Sequence, residues 1–344
     1  MLDKNNEKSR IEYFDIIKGI GIIFVILGHM TRFTSFSNKA IYTFHMPLFF
    51  LVSGYFISFK DKYKDFVKKK ATQLLIPYIF SCVCVLIIQI VKQLIDGKSL
   101  VQIFQTFGKL IYAFVYGSGM EYYKPFYIPP IGAIWFLLAL FISLITVRKS
   151  LEYKYGPVYI IILAYVGYLS SILFWMPFSM QAGFTVSIFV YIGYLVKKSG
   201  FLEEKTNPFV VMFALGIWIS GIFFGKGLYV FINGYGDGLF SIMVGICGTY
   251  IILLISRFIS KHLNIVTKIL GFYGKNSLIV LCFHLLEYTM FPWAKVYSFL
   301  GEKGIYLIFI YIIVASIKIA FCTMGIFLVY HIKFLAKIFS VRSK

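Results

Sequence analysis

The chain has 344 residues, of which 60% are hydrophobic and only 14% are charged, and its mean hydropathy is +0.83. A soluble domain carries about 25% charged residues, so this composition excludes a soluble enzyme and indicates a polytopic membrane protein. The net charge of +20 does not indicate nucleic-acid binding, because the Lys and Arg residues lie in short loops between apolar segments rather than on a basic domain.

The apolar segments predict an all-α fold, a polytopic membrane bundle of about ten transmembrane helices, because an apolar helix needs about 17 to 25 residues to cross a bilayer. Lys and Arg residues concentrate on alternate loops, and the positive-inside rule predicts that this side is cytoplasmic, with both termini on it. We interpret residues 1–344 as one membrane domain, with cytoplasmic tails at 1–13 and 333–344 and a bundle at 14–332. The predicted spans are approximately 14–31, 41–59, 72–95, 131–147, 157–174, 178–196, 208–224, 238–257, 277–294 and 305–332.

The first predicted span carries three ionisable side chains, Asp15, Lys18 and His29, in an otherwise apolar run. An ionisable group in hydrocarbon costs several kcal/mol unless it faces a bundle interior or an aqueous cavity. At about 100° per residue, the steps from Lys18 to His29 return the helix to within roughly 20° of the same direction, with a rise of roughly 16 Å. Asp15 lies one turn before Lys18 on this face. We therefore predict a functional polar stripe, in which Asp15 and Lys18 also form an ion pair.

The second predicted span places His45 about one turn inside its external end, while His29 lies at the external end of the first span. Because a short loop joins the two spans, we expect antiparallel neighbouring helices with the two imidazoles near each other. Histidine has the side-chain pKa that best suits proton transfer near neutral pH. The alternative for each histidine is a purely structural hydrogen bond, but the stripe shared with Lys18 favours a functional role for His29.

Polar residues recur late in the chain. His284 and Glu287 lie one turn apart in the ninth predicted span, and Lys318 in the tenth is a candidate ion-pair partner for Glu287. These residues require a polar interior in the bundle. They do not by themselves distinguish an enzyme from a transporter.

The longest external segment, 96–130, contains an amphipathic piece around Leu100–Val115 that we expect on the membrane surface or inside the bundle. The cysteines show neither metal-ligand nor disulfide spacing, so the sequence predicts no metal site. We expect the five of them to be free thiols packed in apolar spans: Cys82, Cys84, Cys247, Cys282 and Cys322.

Five motifs follow one another in a fixed order along the chain. They are DIIKGIGIIFVILGH, FHMPLFFLVSGYF, a basic loop ending in LLIPY, IWFLLALF and GKNSLIVLCFH. Together they resemble the acyltransferase-3 family of integral membrane O-acyltransferases, particularly its fucose 4-O-acetylase-like branch. The resemblance covers essentially the whole chain.

The resemblance implies an O-acetyltransferase in the plasma membrane of a bacterial cell. Such an enzyme takes acetyl groups from cytoplasmic acetyl-CoA and places them on a hydroxyl of a cell-surface or lipid-linked polysaccharide. The implied partners are acetyl-CoA, the glycan acceptor, the lipid bilayer and the polysaccharide-synthesis machinery. The family carries a basic residue and a histidine separated by ten residues on the first span, here Lys18 and His29, although arginine is commoner at the first position.

The family also carries a basic motif before its third span. Lys69 and Lys70 match that motif in charge, whereas Gln73 stands where a second basic group is usual. On this basis we predict that Lys68, Lys69 and Lys70 attract the phosphates of acetyl-CoA, with Lys18 at the entrance of the polar interior. Lysine cannot make the bidentate phosphate contacts of arginine.

The resemblance also implies roles for the histidines. We predict that His29 acts either as general base on the acceptor hydroxyl or as a transient acetyl carrier, and these alternatives stay open. His45 and His284 are candidates for orienting the acceptor or stabilising the oxyanion, and Asp15 for holding Lys18.

Two other functions are compatible with the residue pattern. A transporter or flippase for a polysaccharide or its lipid-linked precursor would also need a helix bundle with a polar interior. A non-catalytic scaffold in a glycan-assembly complex is the third alternative, and it predicts that Lys18 and His29 can be replaced without consequence.

Overall fold

The computed structural model describes residues 4–33 and 35–341, with the backbone alone for residues 4–11. The predicted tail residues 1–3 and 342–344 lie outside this part of the chain. The described residues form fifteen α-helices, two single-turn 3₁₀ segments and one antiparallel sheet of two short strands. The prediction of a nearly all-α fold is therefore confirmed.

Polar caps and left-handed glycines mark several helix ends. Ser99 and Gln102 form a capping box at the start of α5, and Gly117 ends this helix with a φ of 61°. The helices are α1 (Lys4–Gly28), α2 (Phe36–Tyr42), α3 (His45–Tyr55), α4 (Tyr63–Ile95), α5 (Leu100–Tyr116), α6 (Trp135–Ser150), α7 (Gly156–Leu173), α8 (Met180–Lys198), α9 (Pro208–Phe224), α10 (Leu239–His262), α11 (Asn264–Lys275), α12 (Ser277–Met290), α13 (Trp293–Glu302), α14 (Leu307–His331) and α15 (Lys333–Ile338). The strands are β1 (Leu228–Tyr229) and β2 (Gly234–Tyr235), which pair between α9 and α10.

Five helices in the described part of the chain are long and apolar enough to cross a membrane, or six if α11 and α12 form one broken span. These helices support a multi-pass membrane protein, whereas the count of ten spans and the orientation of the termini stay predictions. Some predicted spans do not form one continuous helix, because the helix is interrupted within them. Predicted span 41–59, for example, is divided between α2 and α3 at Thr43 and Phe44. The five helices are Tyr63–Ile95, Gly156–Leu173, Pro177–Lys198, Leu239–His262 and Leu307–His331.

The first compact unit of the chain is organised around α1, which packs against α3, α10 and α11. A Cβ atom at Gly19 would collide with the carbonyl of Leu270, and one at Gly274 would collide with the carbonyl of Asp15. Small residues of this kind let two membrane helices approach to backbone contact. The first half of α1 is therefore fixed against α11. This unit comprises Met1–Phe66, Ile142–Ile172 and Gln181–Ser277.

The core of the first unit is apolar and lies around the same helix. Phe14 and Ile17 of α1 pack with Leu48 and Val52 of α3 and with Ile252 of α10. Lipid tails are as apolar as these side chains, so the packing is stabilised chiefly by van der Waals contact.

The second compact unit holds the amphipathic helix that the sequence predicts in the external segment, which the structure confirms as α5. The hydroxyl of Tyr78 on α4 donates a hydrogen bond of 2.5 Å to the carbonyl of Phe114 on α5. α14 packs against α13 and α15, and α15 lies within the segment predicted as a tail. The prediction of one domain for the whole chain stays a prediction. This unit comprises Val67–Phe141, Leu173–Met180 and Leu278–Lys344.

Candidate active site

The predicted ion pair on α1 is confirmed. Lys18 Nζ lies 2.8 Å from Asp15 Oδ1; Asp15 is buried, while 29% of the Lys18 side chain is exposed. The close approach of Gly274 to the Asp15 carbonyl holds this turn of the helix in place. An ammonium group has three donor protons, so Lys18 can bind a second, external anion while Asp15 neutralises its charge.

His29 lies in the turn that follows the last residue of α1, Gly28, and it is exposed. Its backbone N–H still donates to the carbonyl of Val25 at 3.2 Å, so the helical geometry extends to this residue. The axial rise of roughly 16 Å from Lys18 to His29 therefore holds. Lys18 lies within α1 and His29 just after its last residue, so the two side chains lie at separate levels along the helix axis.

The turn after His29 is braced by a hydrogen-bonded pair that sequence reasoning missed. The hydroxyl of Thr31 donates to the carbonyl of Gly28 at 2.8 Å, and Asn38 Nδ2 donates to that hydroxyl at 3.1 Å. Asn38 is only 2% exposed. Neither residue has a helical spacing that would reveal the contact, because the loop between them sets its geometry.

His45 is the first residue of α3 and is buried. Its Nδ1 lies 2.9 Å from the carbonyl of Ile41, so the nitrogen carries the proton and donates it, which leaves Nε2 as an acceptor. The ring of Tyr42 packs edge-on against this imidazole at 4.6 Å between centroids. The geometry fixes one tautomer of His45, whereas its predicted approach to His29 stays a prediction.

A second polar cluster lies in the other compact unit. His284 Nδ1 is 2.7 Å from Glu287 Oε1, and Lys318 Nζ lies 2.8 and 2.9 Å from the two oxygens of the same carboxylate. Trp293 Nε1 donates to Glu287 Oε2 at 2.6 Å. Lys318 also lies 4.0 Å from the centroid of the Trp293 indole. The predicted pair of Glu287 and Lys318 is confirmed, and Trp293, which no sequence pattern indicated, completes it.

The bonds at Glu287 restrict what this cluster can do. Glu287 is 0% exposed and accepts four hydrogen bonds, which use all the acceptor sites of a carboxylate. It has no capacity left to act as a base. Because the charge of Lys318 balances that of Glu287, the carboxylate can hold His284 by its Nδ1–H without leaving a net charge in the interior.

The predicted donor-binding lysines lie in the first turns of α4. Lys68 and Lys69 are exposed, and Lys70 is half-buried. Lys70 Nζ lies 3.4 Å from Gln73 Oε1. Gln73, the departure from the family pattern, is thus a polar neighbour of Lys70 rather than an additional cation.

Arg148, at the end of α6, anchors the turn that leads into α4 and was also missed by sequence reasoning. Its guanidinium donates to the carbonyl of Asp61 at 3.2 Å and to Glu152 at 2.6 Å, and it lies 4.3 Å from the ring centroid of Phe59. Hydrogen bonds from Lys149 and from Arg148 lower the pKa of Glu152 below its ordinary value.

The structure places the predicted site residues in two sets. Asp15, Lys18, His29 and His45 belong to the first compact unit, whereas His284 and the α4 lysines belong to the second. Within residues 12–33 and 35–341, no group of three or more His, Cys, Asp or Glu side chains could hold a metal ion. All five cysteines are free; three are buried and two are partly exposed.

Comparison with known proteins gives one match along most of the chain. The model of the acyltransferase-3 family, described as an acyltransferase domain, matches residues 11–331. The chain is similar to nodulation protein NolL of Sinorhizobium fredii, with 43% identity over 82 residues, which are 20% of this chain and 22% of that protein. It is also similar to nodulation protein NolL of Mesorhizobium japonicum, with 30% identity over 161 residues, covering 43% of this chain and 38% of that protein.

The chain therefore covers less than half of the length of these curated relatives. No solved structure matches it. The family match extends over nearly the whole sequence and includes both sets of site residues. On this evidence, the chain belongs to the acyltransferase-3 family.

Proposed function

We propose that the protein is a bacterial plasma-membrane O-acetyltransferase, which moves an acetyl group from cytoplasmic acetyl-CoA to a hydroxyl of a cell-surface or lipid-linked polysaccharide. The observation that carries this proposal is the first helix. An ion-paired, partly exposed lysine within this helix and an exposed histidine just after its last residue are separated by an axial rise of roughly 16 Å, in a chain that matches an acyltransferase domain.

Lysine side chains bind the acetyl donor. Lys68 and Lys69 are exposed in the first turns of α4 and supply positive charge for the phosphates of acetyl-CoA. Lys18 supplies a further ammonium group, and Asp15 keeps it in position. Because these contacts involve parts of the donor that do not react, they are formed equally in the ground state and in the transition state.

His29 carries the chemistry in either of two ways. As general base, its imidazole takes the proton of the acceptor hydroxyl while the oxygen attacks the thioester carbon, and the CoA thiolate leaves and is protonated. As acetyl carrier, its nitrogen attacks the thioester carbon first, and the CoA thiolate leaves and takes up the imidazole N–H proton. The acceptor oxygen then attacks the acetyl carbon, the bond to the imidazole breaks, and the hydroxyl proton passes to the freed imidazole. Both routes require a histidine that ligands can reach, which agrees with the exposure of His29.

The buried histidines are suited to positioning. His45 presents Nε2 as an acceptor because its Nδ1–H is bonded to Ile41, and it is thus suited to orient an acceptor hydroxyl. His284 is held by Glu287 in the same tautomer. In this neutral tautomer His284 can orient the acceptor by accepting a hydrogen bond at Nε2, and it can stabilise an oxyanion only as the doubly protonated imidazolium.

The test is the O-acetyl content of purified surface polysaccharide, measured by NMR. Cells carry the wild-type chain, a deletion, His29→Ala, or His331→Ala, a control at an exposed histidine of α14. We expect the acetyl signals to vanish in the deletion and to fall about 10²-fold or more in His29→Ala, with polymer yield and the control unchanged. Unchanged acetylation with less polymer at the surface would instead support a transporter, and full acetylation in His29→Ala would contradict the assignment of His29.

A further inference from the structure

An apolar cavity of about 210 Å³ opens among the helices of the first compact unit. Phe14, Val52, Val196, Ala214 and Leu253 contribute to its wall, one from each of α1, α3, α8, α9 and α10. A buried water molecule needs two to four polar partners, whereas a smaller apolar cavity of about 150 Å³ holds a hydrocarbon molecule. The cavity is therefore suited to a hydrocarbon chain.

The hydroxyl of the wall residue Thr249 leaves this apolar character intact. The hydroxyl of Thr249, on α10, donates to the carbonyl of Gly245 at 2.8 Å within its own helix. It is thus already paired with the backbone. The wall offers a polar ligand little to bind at this position.

Two cations contact residues of the cavity wall. A guanidinium nitrogen of Arg257 lies 2.5 Å from the carbonyl of Leu202, and Lys197 Nζ lies 5.8 Å from the ring centroid of Tyr55. Arg257 also stacks on Tyr13 at 4.9 Å, next to the wall residue Phe14 in the sequence. Among the side chains described from residue 12 onward, no carboxylate lies within ion-pair distance of either cation.

The cavity lies near the ends of two helices that the sequence predicts to be cytoplasmic. Val196 lies close to the end of α8, and Val210 close to the start of α9. The positive-inside rule predicts that this end of the bundle faces the cytoplasm. An apolar cavity with cations beside its wall at this level meets the inner leaflet, where anionic lipids bear phosphate next to their acyl chains.

We propose that this cavity binds one acyl chain of an anionic phospholipid of the inner leaflet, and that Arg257 and Lys197 bind its phosphate. The charge of the two cations selects an anionic headgroup, and the apolar wall accommodates the chain. The site uses none of the residues assigned to acetyl transfer, so it is independent of the proposed function.

The first test uses the purified full-length protein and native mass spectrometry, with dioleoylphosphatidylglycerol and dioleoylphosphatidylcholine as probes. We expect the anionic lipid to bind preferentially, and each of Arg257→Gln and Lys197→Gln to lower its affinity about fivefold. The matched control is Lys198→Gln, which removes an exposed lysine next to Lys197 and should leave binding unchanged. Equal binding of the two lipids, or equal losses in all three variants, would overturn the charge assignment.

The second test fills the cavity. Ala214→Leu adds bulk to its wall, whereas Gly216→Leu adds the same side chain on the same helix where no atom lies within 4 Å. We expect Ala214→Leu to weaken both lipids at least fivefold and Gly216→Leu to change neither. If Ala214→Leu does not fold, the double variant Arg257→Gln/Lys197→Gln provides the test. Loss of the preference for the anionic lipid in this variant would support the proposal, and a retained preference would overturn it. Displacement of the anionic lipid by palmitoyl-CoA at equal concentration would overturn the proposal in favour of an acyl-donor site.

Discussion

Lys18 is the candidate residue whose role can be separated most clearly from that of its neighbours. Replacing Lys18 with Gln is expected to raise KM for acetyl-CoA about tenfold or more while kcat stays nearly constant, because a charged contact to a phosphate is worth about 1.5–3 kcal/mol in both ground and transition states. Initial rates of acetyl transfer in isolated membranes, measured at varied acetyl-CoA, give both constants. A fall in kcat with an unchanged KM would contradict the phosphate-binding role.

The control for Lys18→Gln has to account for Asp15, which is only 7% exposed. Removing the ammonium leaves a buried carboxylate without its partner, which can destabilise the fold. The double variant Asp15→Asn/Lys18→Gln removes both charges. Its KM should remain high even where its thermal stability returns to that of the wild type.

Glu152 provides a pH-dependent test of the turn before α4. Lys149 and Arg148 lower its pKa, so its ionised form stabilises the folded state above the ordinary carboxyl pKa, and this contribution is lost as the pH falls through the lowered pKa. The difference in melting temperature between wild type and Glu152→Gln should therefore be present at pH 7, begin to shrink below about pH 4.5, and vanish once the pH lies below the lowered pKa. A difference that stays constant between pH 7 and pH 3 would contradict it.

Two of the contacts that the sequence predicts lie within a single helix. Asp15 pairs with Lys18 within one helical turn, and His284 reaches Glu287 in the same way, so helix geometry alone predicts both contacts. Trp293 follows a break after α12, and its contact with Glu287 depends on how that break is folded. Contacts of this kind are set by loop conformation rather than by spacing.

The cluster on α12, α13 and α14 is the element-scale feature whose role is open to a direct test. Glu287→Gln alone and Lys318→Met alone each leave one buried charge without its partner, and each is expected to cost about 3–5 kcal/mol. The double variant removes both charges and should recover most of this stability. Its acetyl transfer should nevertheless stay well below that of the wild type, because a glutamine does not hold His284 as the carboxylate does.

Two measurements test the role of this cluster. Thermal unfolding of the purified variants gives the stability, and the pH profile of acetyl transfer gives the state of the histidine. A double variant with normal stability, normal activity and an unchanged pH profile would show that the cluster of Glu287 and Lys318 only ties α12 to α14.

The contact of α1 with α11 leads to a second prediction at this scale. Gly274→Val is expected to push the two helices apart, because a Cβ atom there already collides with the carbonyl of Asp15. Activity and yield of folded protein should both fall. Gly271→Val is the matched control on the same helix, since nothing lies within 4 Å of its Cβ position. Equal losses in both variants would indicate a general intolerance of α11 to a β-branched residue.

The helices also show where the periodicity of the sequence predicts a helix correctly and where it misses a break. The amphipathic pattern of residues 100–115 predicted a helical segment, and the structure has α5 there. The break between α2 and α3 could not be predicted from the sequence, because Thr43 and Phe44 are neither glycine nor proline, the residues that usually mark a break. Thr43 accepts a hydrogen bond of 3.0 Å from Trp218 on α9, a distant contact that no local pattern contains.

At the scale of the whole molecule, the family could be identified from the sequence because its five motifs are local and ordered. The division of the chain into two compact units could not, since each unit is assembled from three separate segments. The number of spans depends on where helices break, and hydropathy alone does not locate such breaks. The side of the membrane, by contrast, follows from loop charge and can be tested independently of the fold.

We predict that Tyr123 faces the cell exterior and Lys64 the cytoplasm, because the loops rich in Lys and Arg are retained inside. Both side chains are exposed, and Tyr123 is 66% exposed. In a chain whose five cysteines are replaced by alanine, Tyr123→Cys should react with a membrane-impermeant maleimide in intact cells. Lys64→Cys should react only after the cells are permeabilised, and the cysteine-free chain should not react at all. The reverse pattern would invert the orientation and place the proposed donor-binding lysines of α4 on the side that lacks acetyl-CoA.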